Sequence, residues 1–136
     1  MIGILIIAHG TLGESLIQCV THVMGDTPPF LEALDVTATT QSIIQERGGE
    51  LVSQLDQGQG VLLLSDVYGA TPCNNMCRLL EPGRVEGIAG VNLPMLIRAV
   101  SYRHLALADM VIKAVDGGKE GVLYISSEYC DATAGS

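Results

Sequence analysis

Two short stretches of the 136-residue chain hold groups with useful chemistry. The first is "LIIAHG", residues 5–10, an apolar run that stops on His9 with Gly10 straight after it. Imidazole is a nucleophile or proton carrier near neutral pH. A glycine lets another molecule approach the backbone. The second is "SDVYGATP", residues 65–72, in which Asp66 closes another apolar run. Gly69 permits a tight turn, and Thr71-Pro72 opens a helix. A carboxylate bonded to one ring nitrogen fixes the tautomer and leaves the other nitrogen unprotonated and outward-facing. It also stabilises positive charge on the ring, as in a Ser-His-Asp site. No serine or cysteine completes a triad, since Ser65 on a strand would point to the face opposite Asp66. Attack by the imidazole itself is the simplest remaining chemistry.

The turn after Asp66 adds an anion site. Free N–H groups there and the positive end of a helix attract negative charge. Each dipole interaction is worth only about 0.3–1 kcal/mol, so several donors must converge. Gly10, Val67, Tyr68, Gly69 and Thr71 are the candidates to hold such an anion, with His9 and Asp66 the candidates for chemistry. An anion site facing a nucleophilic histidine points to phosphoryl transfer. Each residue also has a plain structural explanation: a satisfied histidine, a turn cap, a turn glycine, a helix start. Convergence in one crevice is what favours chemistry. His22 and His104, inside helix-like segments, read as solvated or core-edge residues.

The elements that must bring these residues together alternate along the chain. Strands are expected at residues 2–8, 30–36, 61–65, 85–91 and 121–126, from apolar runs of strand length. Helical spacing marks residues 13–24, about 40–56, 73–80 and a long helix from Pro94 to about Val115. Gly48-Gly49 predicts a kink in the second helix, "DGGKEG" a turn before the last strand, and residues 127–136 a frayed tail. Residues 1–126 then form one domain. The alternation implies a doubly wound α/β fold with a mostly parallel five-stranded sheet and helices on both faces. With an order beginning 2-1-3-4, the ligand crevice opens beyond strands one and three, where His9 and Asp66 sit. Asn92, after strand four, is a third residue at the mouth.

Composition narrows the rest. The chain is 48% hydrophobic with a mean hydropathy of +0.38, which excludes disorder. No run approaches 18 apolar residues, and the N-terminus has no basic region or cleavage site, so a cytoplasmic location is expected. A net charge of −8 argues against nucleic acid and suits a partner with a basic patch. Cys19, Cys73, Cys77 and Cys130 read as buried thiols, because C-x-x-x-C alone lacks the ligands of a zinc site. No metal and no cofactor is expected. A nucleotide P-loop is absent, as is G-x-G-x-x-G, and no acidic residue is placed at the end of the second strand in the dinucleotide manner. The R-H-G signature of histidine phosphatases fails at Ala8. A receiver-type pocket would want acids after strand one, and "HGTLGES" lacks the hydroxyls of an FMN phosphate loop.

The stretches "IIAHGTLGESL", "GVLLLSDVYGATPCN" and "GIAGVNLPMLIRAV" together resemble the mannose-family IIA component of the phosphoenolpyruvate-dependent sugar phosphotransferase system, over about residues 1–126. The resemblance implies that His9 accepts a phosphoryl group from phospho-HPr and passes it to a IIB protein. It implies that Asp66 orients the ring with Nε2 as the phosphorylated atom, and that amides around Val67, Tyr68 and Thr71 hold the phosphoryl oxygens. It also implies a homodimer whose antiparallel last strand can be exchanged between subunits, with membrane contact only through a transporter complex. The family often has Gly-Gly-Ser-Pro after its aspartate; here Gly69, Ala70, Thr71 and Pro72 stand there. Thr71 replaces the serine hydroxyl, whereas the Cβ of Ala70 could restrict the turn. A chain ending at 136 is expected to need a separate IIB partner. Alternative roles are a phosphorylation-state sensor without transport, or the phosphotransfer subunit of a dihydroxyacetone kinase.

Overall fold

A computed structural model describes residues 1–69 and 71–134, for residues 72, 73 and 132–134 the backbone only. Four strands form one parallel sheet in the order β2-β1-β3-β4: β1 Gly3–Ala8, β2 Leu31–Asp35, β3 Val61–Ser65 and β4 Val85–Ala89. The two central strands are the two most uniformly apolar stretches, because they alone are covered on both faces and both edges.

Alternation along these strands feeds two cores. Ile4, Ile6, Ala8, Leu62 and Leu64 face α1 (Leu12–Met24), α4 (Leu93–Ser101) and α5 (Leu107–Glu120), meeting Val20, Leu96, Ala99, Met110 and Ala114. Leu5, Ile7, Val61 and Leu63 face α2 (Gln41–Leu55) and α3 (Thr71–Leu79), meeting Ile44, Val52, Leu55 and Met76. Each fully buried aliphatic side chain contributes roughly 1.5–3 kcal/mol. That burial holds the ends of β1 and β3 side by side.

The expected α/β architecture, parallel sheet and 2-1-3-4 order are present; three details differ. The long helix predicted from Pro94 to Val115 is broken at residues 102–106, giving α4 and α5. Arg103 lies in the break, buried, and its guanidinium donates to the carbonyls of Ile2, Pro29 and Phe30, while its own carbonyl accepts from Ile2 N–H. A continuous helix could not turn that side chain under the start of β1 and β2.

The glycine pairs do not break helices. Gly48 lies within an unbroken α2, where a Cβ would stand 2.8 Å from Leu79 Cδ1. Gly117 and Gly118, predicted to turn, continue α5, and a Cβ on Gly117 would stand 2.6 Å from Arg98 Cβ. Their small size lets helices meet closely, which outweighs their poor helix propensity.

The C-terminal expectations are corrected in the same way. Among the described residues, residues 121–126 join no strand, so the sheet within this chain has four strands, all parallel. Residues Ser127–Ala134, expected to fray, form α6. The last two residues of the expected tail, 135 and 136, lie outside the described residues. Among the described residues, no helix is long and apolar enough to cross a membrane.

Candidate active site

The sheet register builds the site. Ala8, the last residue of β1, pairs with Asp35 of β2, and Ile7 pairs with Ser65 of β3. His9 and Asp66 therefore each stand one residue past a strand end, on adjacent strands, although 57 residues separate them in sequence. The His9 and Asp66 side chains meet. His9 Nδ1 lies 2.8 Å from Asp66 Oδ2, and the same oxygen accepts the His9 N–H at 3.1 Å. Asp66 Oδ1 accepts the Val67 N–H at 2.8 Å.

Electrostatics determine what this pair can do. Burial pushes the Asp66 carboxyl up, but hydrogen bonds from the His9 ring, the His9 amide and the Val67 amide outweigh it and hold the group below its ordinary 3.8. An ionised carboxylate only accepts, so Nδ1 must carry the proton that faces it. In the neutral ring the lone pair is then on Nε2. The imidazole is half exposed while the carboxylate is 9% exposed, so the acid is shielded and the ring is presented. This arrangement can attack an electrophile or exchange a proton at Nε2.

The structure places the remaining candidates unequally. Gly10 adopts φ +57°, a conformation that glycine takes most readily, and its N–H donates to Asp35 Oδ1 at 2.9 Å. That donor is engaged, as is the Val67 N–H on Asp66. Tyr68 and Gly69 offer backbone N–H groups with no acceptor among the described residues. Gly69 sits at φ +81°, and Thr71 opens α3 with its hydroxyl on an exposed residue. Ala70, whose Cβ was expected to affect the turn, lies outside the described residues. Tyr68 is 85% exposed and forms an apolar rim with half-exposed Val67.

Other predicted residues do not join. Asn92 caps α4 by accepting from Met95 N–H and donates to the Gly118 carbonyl, so it ties α4 to α5. Ser65 is buried, and its hydroxyl meets neither His9 nor Asp66. His22 is exposed, and His104 is exposed and stacks on Tyr102. The expectation of buried thiols fails at Cys19, Cys77 and Cys130, all exposed; the Cys73 side chain lies outside the described residues. Among the described residues, no three His, Cys, Asp or Glu side chains gather as metal ligands would.

Two features escaped the sequence reading. An acidic residue does end β2: Asp35, which was absorbed into a strand placed to Val36. The pattern D-x-T at a strand end was an available signal, because Asp35 accepts from the amide and hydroxyl of Thr37. The second is Asn75, buried in α3, which donates to the Thr71 carbonyl and accepts from Gln45 of α2 at 2.7 Å. This network anchors the first turn of α3. Nothing local in the sequence marks it.

Comparison with known proteins identifies the family. Residues 3–116 match the family model described as the phosphotransferase system fructose IIA component. The chain is 29% identical over 136 residues to the mannose-specific EIIAB component of Escherichia coli K12, covering 98% of this chain and 42% of that protein. The chain thus spans about two fifths of the length of the mannose-specific relatives it matches. It is 29% identical to the fructose-specific EIIA component of Bacillus subtilis, covering 82% of this chain and 77% of that one. The fold superposes with TM-score 0.81 on EIIA from Streptococcus agalactiae, at 23% identity, over 91% of this chain and 97% of the other. The chain belongs to the mannose/fructose IIA family of the sugar phosphotransferase system.

Proposed function

We propose that the protein is a cytoplasmic phosphocarrier for sugar uptake: His9 Nε2 takes a phosphoryl group from phospho-HPr and yields it to a IIB protein. One observation carries this reading: the 2.8 Å bond from Nδ1 to a shielded carboxylate, which leaves Nε2 as the exposed nucleophile. In the transfer, the Nε2 lone pair forms the new N–P bond as the donor's N–P bond breaks. The Nδ1 proton stays on the ring, facing Asp66, and the Asp66 carboxylate offsets the positive charge that develops on the ring. Positioning and charge stabilisation supply most of such a step. Amides of Tyr68, Gly69 and Thr71, with the Thr71 hydroxyl, hold the phosphoryl oxygens in this reading. Gly10 and Val67 would contribute only by releasing their present acceptors.

Incubation with phosphoenolpyruvate, enzyme I and HPr should add one acid-labile phosphate, mapped to His9 by mass spectrometry. His9→Ala retaining full labelling refutes the assignment.

The assembly proposed is a homodimer in which residues 121–126 of each subunit complete the other's sheet. Two observations support it. Val122, Leu123, Tyr124 and Ile125 are all more than half exposed, although their sequence is that of a strand. Among the described residues, no strand lies beside the outer edge of β4, which meets only a bridge from Glu81 to Val85, and an apolar groove nearby is lined by Gly83, Glu86, Ala106, Leu107, Ala108 and Val111. An exposed apolar edge invites such pairing. Light scattering of the full chain should give a dimer, and Leu123→Glu with Ile125→Glu a monomer. A wild-type monomer at micromolar concentration would end this part of the reading.

A further inference from the structure

The two successive peptide N–H groups at His9 and Gly10 are held from opposite sides. The His9 N–H points to Asp66, past the end of β3, and the Gly10 N–H points to Asp35, at the end of β2. Asp35 is itself tightly fixed. Its Oδ1 accepts the Gly10 N–H at 2.9 Å, the Thr37 N–H at 2.8 Å and the Thr37 hydroxyl at 2.6 Å. Backbone pairing locks the strand beneath it, since the Val36 N–H donates to the Ala8 carbonyl at 3.1 Å.

We infer that Asp35 is a positioning residue for His9: it anchors the Gly10 amide, so that the imidazole is aimed by one carboxylate on each flank of β1. The inference rests on the phosphocarrier reading for its consequence, though not for its geometry. Gly10, at φ +57°, is the most permissive link next to the reactive residue, and a Cβ there would meet nothing within 4 Å. With no side chain of its own to pack, Gly10 has its amide fixed by the Asp35 bond. The hydroxyl and amide of Thr37, with the Gly10 amide and the nearby His9 ring, keep the Asp35 carboxyl below its ordinary 3.8, against a smaller opposing push from burial. An ionised acceptor makes the stronger hydrogen bond.

Asp35→Ala removes the anchor. Misplacement by about 1 Å costs roughly 100-fold in a positioned reaction, so the expected loss is about 10- to 100-fold in the maximal rate of phosphoryl uptake, with KM for phospho-HPr nearly unchanged. Asp35→Asn keeps an oxygen acceptor in place and should restore most of the rate. The second readout is nuclear magnetic resonance of the unphosphorylated full chain. Asp35→Ala should speed exchange of the Gly10 amide and shift the His9 ring nitrogens, and Asp35→Asn should reverse both changes.

Unchanged rate and unchanged His9 signals in Asp35→Ala overturn the inference. So does a rate loss with unmoved His9 signals, which would mean a general structural role, and so does failure of Asp35→Asn to rescue. Should Asp35→Ala not fold, Thr37→Val takes its place, with the same changes expected at reduced size and the same grounds for rejection. If the wild-type chain takes no phosphate, the phosphocarrier reading fails, and the resonance arm still decides the role of Asp35.

Discussion

Two aspartates bracket β3, and they use one device for different ends. Asp56 precedes the strand. It accepts the N–H groups of Gly58 and Gly60 at 2.9 and 3.2 Å and Arg84 Nε at 3.0 Å. Asp66 follows the strand and accepts two backbone N–H groups and one ring nitrogen. Both carboxylates are shielded, and both are held below their ordinary 3.8, Asp56 chiefly by the Gly58 amide. The difference lies in what the partner has left over. A guanidinium has donors only and no lone pair, and Arg84 also pairs with Glu81, so that end is a latch. An imidazole that gives one nitrogen to an acid still has another, and at this end of the strand it faces solvent.

The comparison can be broken most decisively at Asp66. Asp66→Ala should slow phosphoryl uptake by about 100-fold, because orientation is lost, while circular dichroism shows the fold retained. An unchanged rate would remove Asp66 from the mechanism. Asp56→Ala should do the reverse: about 1 kcal/mol less stability in urea unfolding, from lost hydrogen bonds, with transfer intact. A slowed transfer there would mean that the two ends of β3 are not separable. Arg84→Lys keeps the charge but loses the Nε geometry, and its effect on urea unfolding should be smaller than that of Asp56→Ala, as for exposed pairs.

The smallest effect is in the dependence on pH. Both folded carboxyls lie below their ordinary 3.8, so their contributions are fully present above that value. They are lost as pH falls through the folded values. Acid unfolding of Asp56→Asn and Asp66→Asn should therefore show a shallower loss of stability below pH 3.8 than the wild type. An equally steep loss in both variants contradicts the assignment.

The His9–Asp66 pair was readable because its signals are local. Each residue ends an uninterrupted apolar run, and parallel α/β topology places such ends together. The hydrogen-bond state of Gly10 was not readable, since its acceptor lies 25 residues away. Asn75 escaped for the same reason, with its Gln45 partner 30 residues distant. Glycines misled in both α2 and α5, where a turn signal turned out to be a close-packing site.

What the amino-acid sequence determined alone is the alternation of elements, the buried strands β1 and β3, and the identity of His9 and Asp66. These follow from hydrophobic periodicity and residue chemistry, which act over a few residues. Tertiary structure decided which amides remain without an acceptor, where the C-terminal helical region breaks, and that residues 121–126 join no strand among the described residues. Those outcomes depend on groups brought together from distant positions: Arg103 beneath Ile2, Asp35 beside Gly10, and the open edge of β4. Hydrogen bonds of that kind leave no periodic trace, because each is satisfied by geometry that exists only once the sheet has formed.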